Sequence, residues 1–101
     1  MSILKDYNKK SLFCKVTFKL PTGTVSPESQ VCITGEFNNW DISDLPMKKL
    51  KSGEFTISVD LEKGKEYQFK YIVDGRQWIN EIDADRFIVN GFNSENSVVV
   101  T

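Results

Sequence analysis

Phe55-Thr56-Ile57-Ser58-Val59-Asp60-Leu61 puts an apolar side chain at every second position, and Tyr67-Gln68-Phe69-Lys70-Tyr71-Ile72-Val73 repeats the pattern beyond Glu62-Lys63-Gly64-Lys65. Successive side chains of a strand point to opposite faces, so a period of two marks a strand with one buried face. Two such runs joined by a glycine-bearing turn predict a β-hairpin. The phase sends Tyr67, Phe69 and Tyr71 to the core and leaves Gln68 and Lys70 on the open face.

The same period extends upstream. Leu12, Cys14, Val16, Phe18 and Leu20 alternate with Phe13, Lys15, Thr17 and Lys19, until Pro21-Thr22-Gly23 breaks the run. Residues 22–30 form a polar loop containing Pro27, and Val31 to Gly35 reads as a short second strand. Downstream, Asp74-Gly75 is a turn signal leading into a short strand around Trp78, and residues 97–101 are β-branched after Ser97, as a closing strand would be. Sustained helical spacing is absent; only Met1 to Lys10 is expected to form a helical turn. Short strands with a turn every ten or so residues describe an all-β antiparallel sandwich. Residues 1–10 read as an N-terminal extension and residues 11–101 as a single domain, with no internal repeat and no linker.

At 101 residues the chain is long enough to bury a core without a metal or a disulfide scaffold. Thirteen basic and fourteen acidic residues give a net charge of −1, which argues against nucleic acid and against a polybasic membrane anchor. There is no histidine, which removes the commonest general base and metal ligand, and with them Ser-His and Cys-His hydrolases and ordinary zinc enzymes. Neither a metal site nor a cofactor is expected. The N-terminus Met1-Ser2-Ile3-Leu4-Lys5-Asp6 lacks a signal-peptide core, and no run reaches the ~20 apolar residues of a membrane span. Cys14 and Cys32 fall on opposite strand phases and fit a reducing compartment, so the protein reads as cytoplasmic.

Three segments carry more than a fold signal. Gly35-Glu36-Phe37-Asn38-Asn39-Trp40-Asp41 runs from a strand into two turn-favouring asparagines and then a loop tryptophan. Phe69-Lys70-Tyr71-Ile72-Val73-Asp74-Gly75-Arg76-Gln77-Trp78 is a strand, a tight turn and a second tryptophan. Asn96-Ser97-Val98-Val99-Val100 places an asparagine at the mouth of the last strand. Each residue has an ordinary explanation as well. A tryptophan in a small sandwich commonly plugs the core or an edge, an outward lysine is commonly just solvated, and a strand-entry asparagine commonly bonds its own backbone. Phe37 and Phe55 are assigned to the core. The acidic cluster Glu81, Asp83 and Asp85 reads as a solvated loop, since calcium-loop spacing is absent and glycosidase carboxylates need a cleft.

Taken in order, the three segments resemble the glycogen- and starch-binding carbohydrate-binding module. That family includes the early-set domain of isoamylases and branching enzymes and a domain of the β subunit of AMP-activated protein kinase. The resemblance covers about residues 30 to 101 and implies an immunoglobulin-like (early-set) antiparallel β-sandwich. It further implies glucan-stacking roles for Trp40 and Trp78, sugar-hydroxyl binding by Lys70 and Asn96, and an inserted apolar side chain at Phe92. The chain reads as a free-standing member without a fused enzyme. The partner implied is an α-glucan polysaccharide or oligosaccharide, along with a separate glycogen-metabolising enzyme or regulatory protein.

The chemistry of the residues agrees with that implication. An indole face packs on the C–H-rich face of a glucose ring at low entropic cost, and a neutral sugar needs aromatic platforms plus a few hydrogen-bonding groups. Two other readings stay open at this point. One is a structural or regulatory interaction domain of the same fold that has lost sugar binding, and the other is a small glycosidase built on the acidic loop. Exposure of both tryptophans on one side separates the first reading from its rival.

Overall fold

The computed structural model describes residues 3–91 and 94–101, and apart from one 3-10 turn at Glu36–Asn38 every regular element among them is a strand. The strands are β1 (Ile3–Tyr7), β2 (Phe13–Leu20), β3 (Val31–Gly35), β4 (Lys48–Lys49), β5 (Phe55–Glu62), β6 (Glu66–Val73), β7 (Gln77–Ile79), β8 (Arg86–Val89) and β9 (Glu95–Val100). They form two antiparallel sheets, ordered β1-β2-β5-β4 and β3-β6-β9-β8, with β7 also paired to β6. The fold is a β-sandwich.

Alternation builds its interior. Cys14, Val16, Phe18 and Leu20 from β2 and Phe55 and Leu61 from β5 meet Ile33, Phe69, Tyr71, Val73 and Val99 from the other sheet. The Phe18 and Phe69 rings sit 5.0 Å apart, and Phe69 meets Tyr71 edge-on at 5.9 Å, both separations at which aromatic pairs attract. Phe37 is only partly buried, but it packs against the core, its ring 6.3 Å from that of Phe18.

Four expectations need correction. β5 and β6 are not a hairpin; they lie in different sheets, and Lys63-Gly64-Lys65 carries the chain from one to the other. Both strands have their apolar side toward the same core, a condition met as well by facing across it as by lying side by side. The hairpin in this region is β6–β7. Asp74 and Gly75 adopt φ values of 53° and 71°, and the Arg76 N–H donates to the Val73 carbonyl at 3.1 Å. Two positive φ values in succession suit the right-handed twist of paired strands. Asp74 also accepts from the Gln30 N–H at 2.9 Å and the Ser29 hydroxyl at 3.1 Å, and these bonds hold its carboxyl below the usual carboxylate range.

The expected helical turn near the N-terminus is instead β1, paired from Ile3↔Phe18 to Tyr7↔Cys14, because β2 offers it an edge and Ile3 reaches the core. Leu12 does not share the buried phase of β2. It precedes the first paired residue and is 82% exposed, while its carbonyl accepts the Lys63 N–H.

The acidic segment is not simply a solvated loop, for Glu81 is 1% exposed. Its carboxylate accepts from the Tyr71 hydroxyl at 2.8 Å and from the Asp83 N–H at 2.9 Å. Burial first, then the neighbouring Glu81 charge, push the Tyr71 hydroxyl far above its ordinary value, so it stays protonated and donates. Tyr71→Phe removes that donor from a buried carboxylate, at an expected cost of about 1–3 kcal/mol, or a fall in melting temperature of about 5–20 °C. Thermal unfolding of the variant checks this; an unchanged midpoint would make the hydroxyl incidental.

Cys14 and Cys32 are both free and occupy different sheets. Burial, reinforced by the charge of Asp41, holds the Cys32 thiol above its ordinary value.

Candidate functional site

The outer face of the β3-β6-β9-β8 sheet carries the residues singled out by the sequence. Its construction starts at Gly35. A Cβ at this position would lie 2.4 Å from the Gln68 carbonyl oxygen and 2.8 Å from the Phe69 Cβ, so only glycine lets β3 end this close to β6. The chain then winds through Glu36–Asn38 and reverses at Asn39 and Trp40, whose φ values are 55° and 59°. A left-handed backbone costs a non-glycine residue roughly 1–2 kcal/mol, and at a bulky side chain it marks a position held by its surroundings.

Asn38 does much of the holding. Its Oδ1 accepts the Gly35 N–H at 3.0 Å and its Nδ2 donates to the Asp41 carbonyl at 3.2 Å, while the Trp40 N–H donates to the Gly35 carbonyl at 2.9 Å. Asp41 continues the turn by accepting the Ser43 N–H at 2.9 Å, a bond that lowers its carboxyl below the ordinary range. Asn38→Ala removes both side-chain bonds from the turn. A fall in affinity for the ligand of the Trp40 face of about threefold or more is expected, with a smaller cost in stability of ~1 kcal/mol. Parallel binding and unfolding curves separate the two effects.

Trp78 comes from β7, opposite Ile72 of β6, and is 46% exposed. Lys70 projects from β6 next to Thr34 of β3, and its Nζ donates to the Ser94 hydroxyl at 3.3 Å and the Glu95 carbonyl at 3.0 Å. Asn96 stands on β9, where its Nδ2 donates to Gln68 Oε1 and its Oδ1 accepts from Asn90 Nδ2, both at 3.0 Å. The Gln68 N–H in turn donates to Glu36 Oε1 at 2.6 Å. Behind this layer Asn80 donates to the Glu95 carbonyl and accepts from Ser97, whose hydroxyl also receives the Glu81 N–H. The polar floor is thus anchored to the buried Glu81–Tyr71 pair.

Trp40, Trp78, Lys70 and Asn96 line one open groove of about 730 Å³, together with Glu36, Gln68, Asn90 and Ser94. Phe92 lies outside the described residues. Sequence reasoning had placed Gln68 on the open face but missed Glu36, Asn90 and Ser94. Glu36 sits inside the glycine-to-tryptophan motif, which was the available signal for it. Asn90 and Ser94 come from an irregular segment where no periodicity points to a face. Two indoles and several neutral hydrogen-bonding groups, around one ammonium and one carboxylate, make a surface fitted to an uncharged ligand with both C–H-rich faces and hydroxyls.

No curated protein matches the chain. Residues 14–100, which span all but the first strand of the sandwich, match the family described as the glycogen recognition site of AMP-activated protein kinase. The chain belongs to that glycogen-recognition family.

Proposed function

We propose that the protein is a non-catalytic α-glucan-binding module that holds glycogen, starch or malto-oligosaccharide in this groove. Trp40 and Trp78 act as stacking platforms, and Lys70 and Asn96 bond the sugar hydroxyls. The observation that carries the reading is the convergence of both tryptophans on one open groove beside Lys70 and Asn96. Hydrogen-bond accounting supports it. An ammonium has three donors, and two of those on Lys70 are occupied within the protein, which leaves one to donate outward. Asn96 likewise keeps one N–H and one lone pair beyond its bonds to Gln68 and Asn90.

Glu36 is the one carboxylate among the described residues lining the groove, whereas glycoside hydrolysis takes two. Purified protein is therefore expected to release no reducing sugar from glycogen, and turnover that disappears in Glu36→Gln would overturn the non-catalytic reading. Two free thiols support action in a reducing, cytoplasmic setting, next to a separate glycogen-metabolising enzyme or regulatory protein.

Two stacks of ~1–3 kcal/mol and a few exposed hydrogen bonds of ~0.5–1.5 kcal/mol, less the cost of ordering the sugar, leave a weak site. The expected dissociation constant for maltoheptaose is on the order of tens of micromolar to millimolar. Affinity should climb with oligosaccharide length until one chain spans both indoles, and then level off. Calorimetric titration across a maltose-to-maltoheptaose series tests this. An affinity that is flat with length would leave a single platform at work, and no heat at any length would sink the reading.

A further inference from the structure

β3 stops at Gly35, which pairs with Phe69, so a longer β3 would have set residue 36 beside Gln68. The Glu36 side chain fills that place. Its Oε1 accepts the Gln68 N–H at 2.6 Å. A charge-assisted bond this short fixes a carboxylate that an exposed glutamate would otherwise leave to swing in solvent. The second oxygen, Oε2, has no partner among the described residues, and no lysine or arginine among them pairs with Glu36. Lys70 is turned instead towards Ser94 and the Glu95 carbonyl.

The Gln68 carboxamide is held from the other side. Asn90 Nδ2 donates to Asn96 Oδ1, and Asn96 Nδ2 donates to Gln68 Oε1, each at 3.0 Å. This chain of amides runs in one direction, so it occupies the Gln68 oxygen and leaves Nε2 without a partner among the described residues. Glu36 and Gln68 both line the groove. They are bonded to each other, and they bring to it an unused acceptor and an unused donor.

We propose that Glu36 and Gln68 form a clamp for two adjacent hydroxyls of one glucose unit, the carboxylate accepting from one and the carboxamide donating to the other. The clamp rests on the glucan reading and deepens it. A hydroxyl can both donate and accept, so a vicinal pair satisfies an acceptor and a donor together, and the anionic acceptor makes the stronger bond. A glucose unit linked only through O1, O4 or O6 keeps O2 and O3 free as such a pair, whereas linkage through O2 or O3 destroys it. The clamp therefore selects glucans joined through O4 and O6. Stacking on the indoles discriminates poorly between linkages, because every glucose unit offers a C–H-rich face.

Calorimetric titration of the full chain with maltoheptaose separates a clamp from a merely structural bond between Glu36 and the Gln68 N–H. Glu36→Gln keeps an oxygen for that N–H but turns a donor outward where the acceptor was. Affinity should fall about fivefold or more while the melting temperature stays within about 2 °C. Gln68→Glu keeps an oxygen for Asn96 and loses both donors, with a similar loss of affinity expected. Combining the two exchanges donor and acceptor. Hydroxyls serve either arrangement, so the double variant should recover to within about threefold of the wild type. An O3-linked glucan oligosaccharide of equal length should bind the wild type at least about fivefold more weakly than maltoheptaose. Wild-type affinity in Glu36→Gln, a double variant no better than the weaker single, or equal binding of the O3-linked sugar would defeat the clamp and leave the glucan reading standing. Absence of heat from maltoheptaose with the wild type would defeat both.

Discussion

Trp78→Ala is expected to weaken maltoheptaose binding about tenfold or more and to move the melting temperature by no more than about 2 °C. A stacked indole supplies ~1–3 kcal/mol to ligand binding, and each 1.4 kcal/mol is a factor of ten. Trp78 is 46% exposed, so loss of its side chain opens no cavity of the kind that makes core truncations costly. Trp40→Ala should weaken binding to a similar degree. That change keeps the left-handed backbone strained, whereas Trp40→Gly relieves the strain and should recover a few tenths of a kcal/mol of stability with no recovery of binding. The chain holds two tryptophans and both line the groove, so fluorescence reports on the site and each single variant leaves one reporter. Salt should matter little in these titrations because the ligand is neutral. Unchanged fluorescence of folded protein at several millimolar sugar would remove the carbohydrate reading and favour an interaction domain.

How far the fold was legible depends on what alternation encodes. In β2, β5 and β6 a period of two names the buried face, and Cys14, Val16, Phe18, Phe69 and Tyr71 are all buried. The pattern is silent on which strand lies alongside, and β5 and β6 were therefore read as partners when the core lies between them. β1 escaped because an edge strand is wet over much of its surface. Of Ile3, Leu4, Lys5, Asp6 and Tyr7, only Ile3 is buried, and one buried residue sets no period.

The site divides in the same way. Trp40, Trp78, Lys70 and Asn96 could be picked out because they stand in three segments whose order resembles the family; by itself the strand phase places only Lys70 outward, and a loop tryptophan or a strand-entry asparagine suits a core plug or a backbone bond as well. Glu81 could not. A carboxylate among Asp83 and Asp85 looks like solvent-facing charge until the fold brings the Tyr71 hydroxyl and the Asp83 N–H against it. Burying such a group is tolerable only when its oxygens are bonded, and those partners exist only in the tertiary structure.

The largest effect on the fold is expected from a single methyl group. Gly35→Ala should destabilise the protein by about 3 kcal/mol, which for a domain of this size lowers the melting temperature by roughly 10–20 °C. The argument is steric and not conformational, because Gly35 has φ −179°, extended backbone that any residue adopts. The added Cβ would stand 2.4 Å from the Gln68 carbonyl oxygen and 2.9 Å from the Phe69 Cα. Those are backbone atoms of a strand paired on both sides, with β3 along one edge and β9 along the other, so they have little freedom to retreat. Relief has to come from β3 lifting away from β6. That movement breaks the pairing at Gly35↔Phe69 and loosens the Gly35 bonds to Asn38 and Trp40. The same substitution should thus displace the Trp40 turn and weaken maltoheptaose binding even at temperatures where the variant is still folded. Gly64→Ala is the informative control. A Cβ there meets nothing within 4 Å, but φ is +74°, so the cost is conformational and should stay near ~1 kcal/mol with binding intact. Gly35→Ala proving no more costly than Gly64→Ala, or destabilised to the predicted extent with full sugar affinity, would break the link drawn here between the close approach of β3 to β6 and the placement of Trp40.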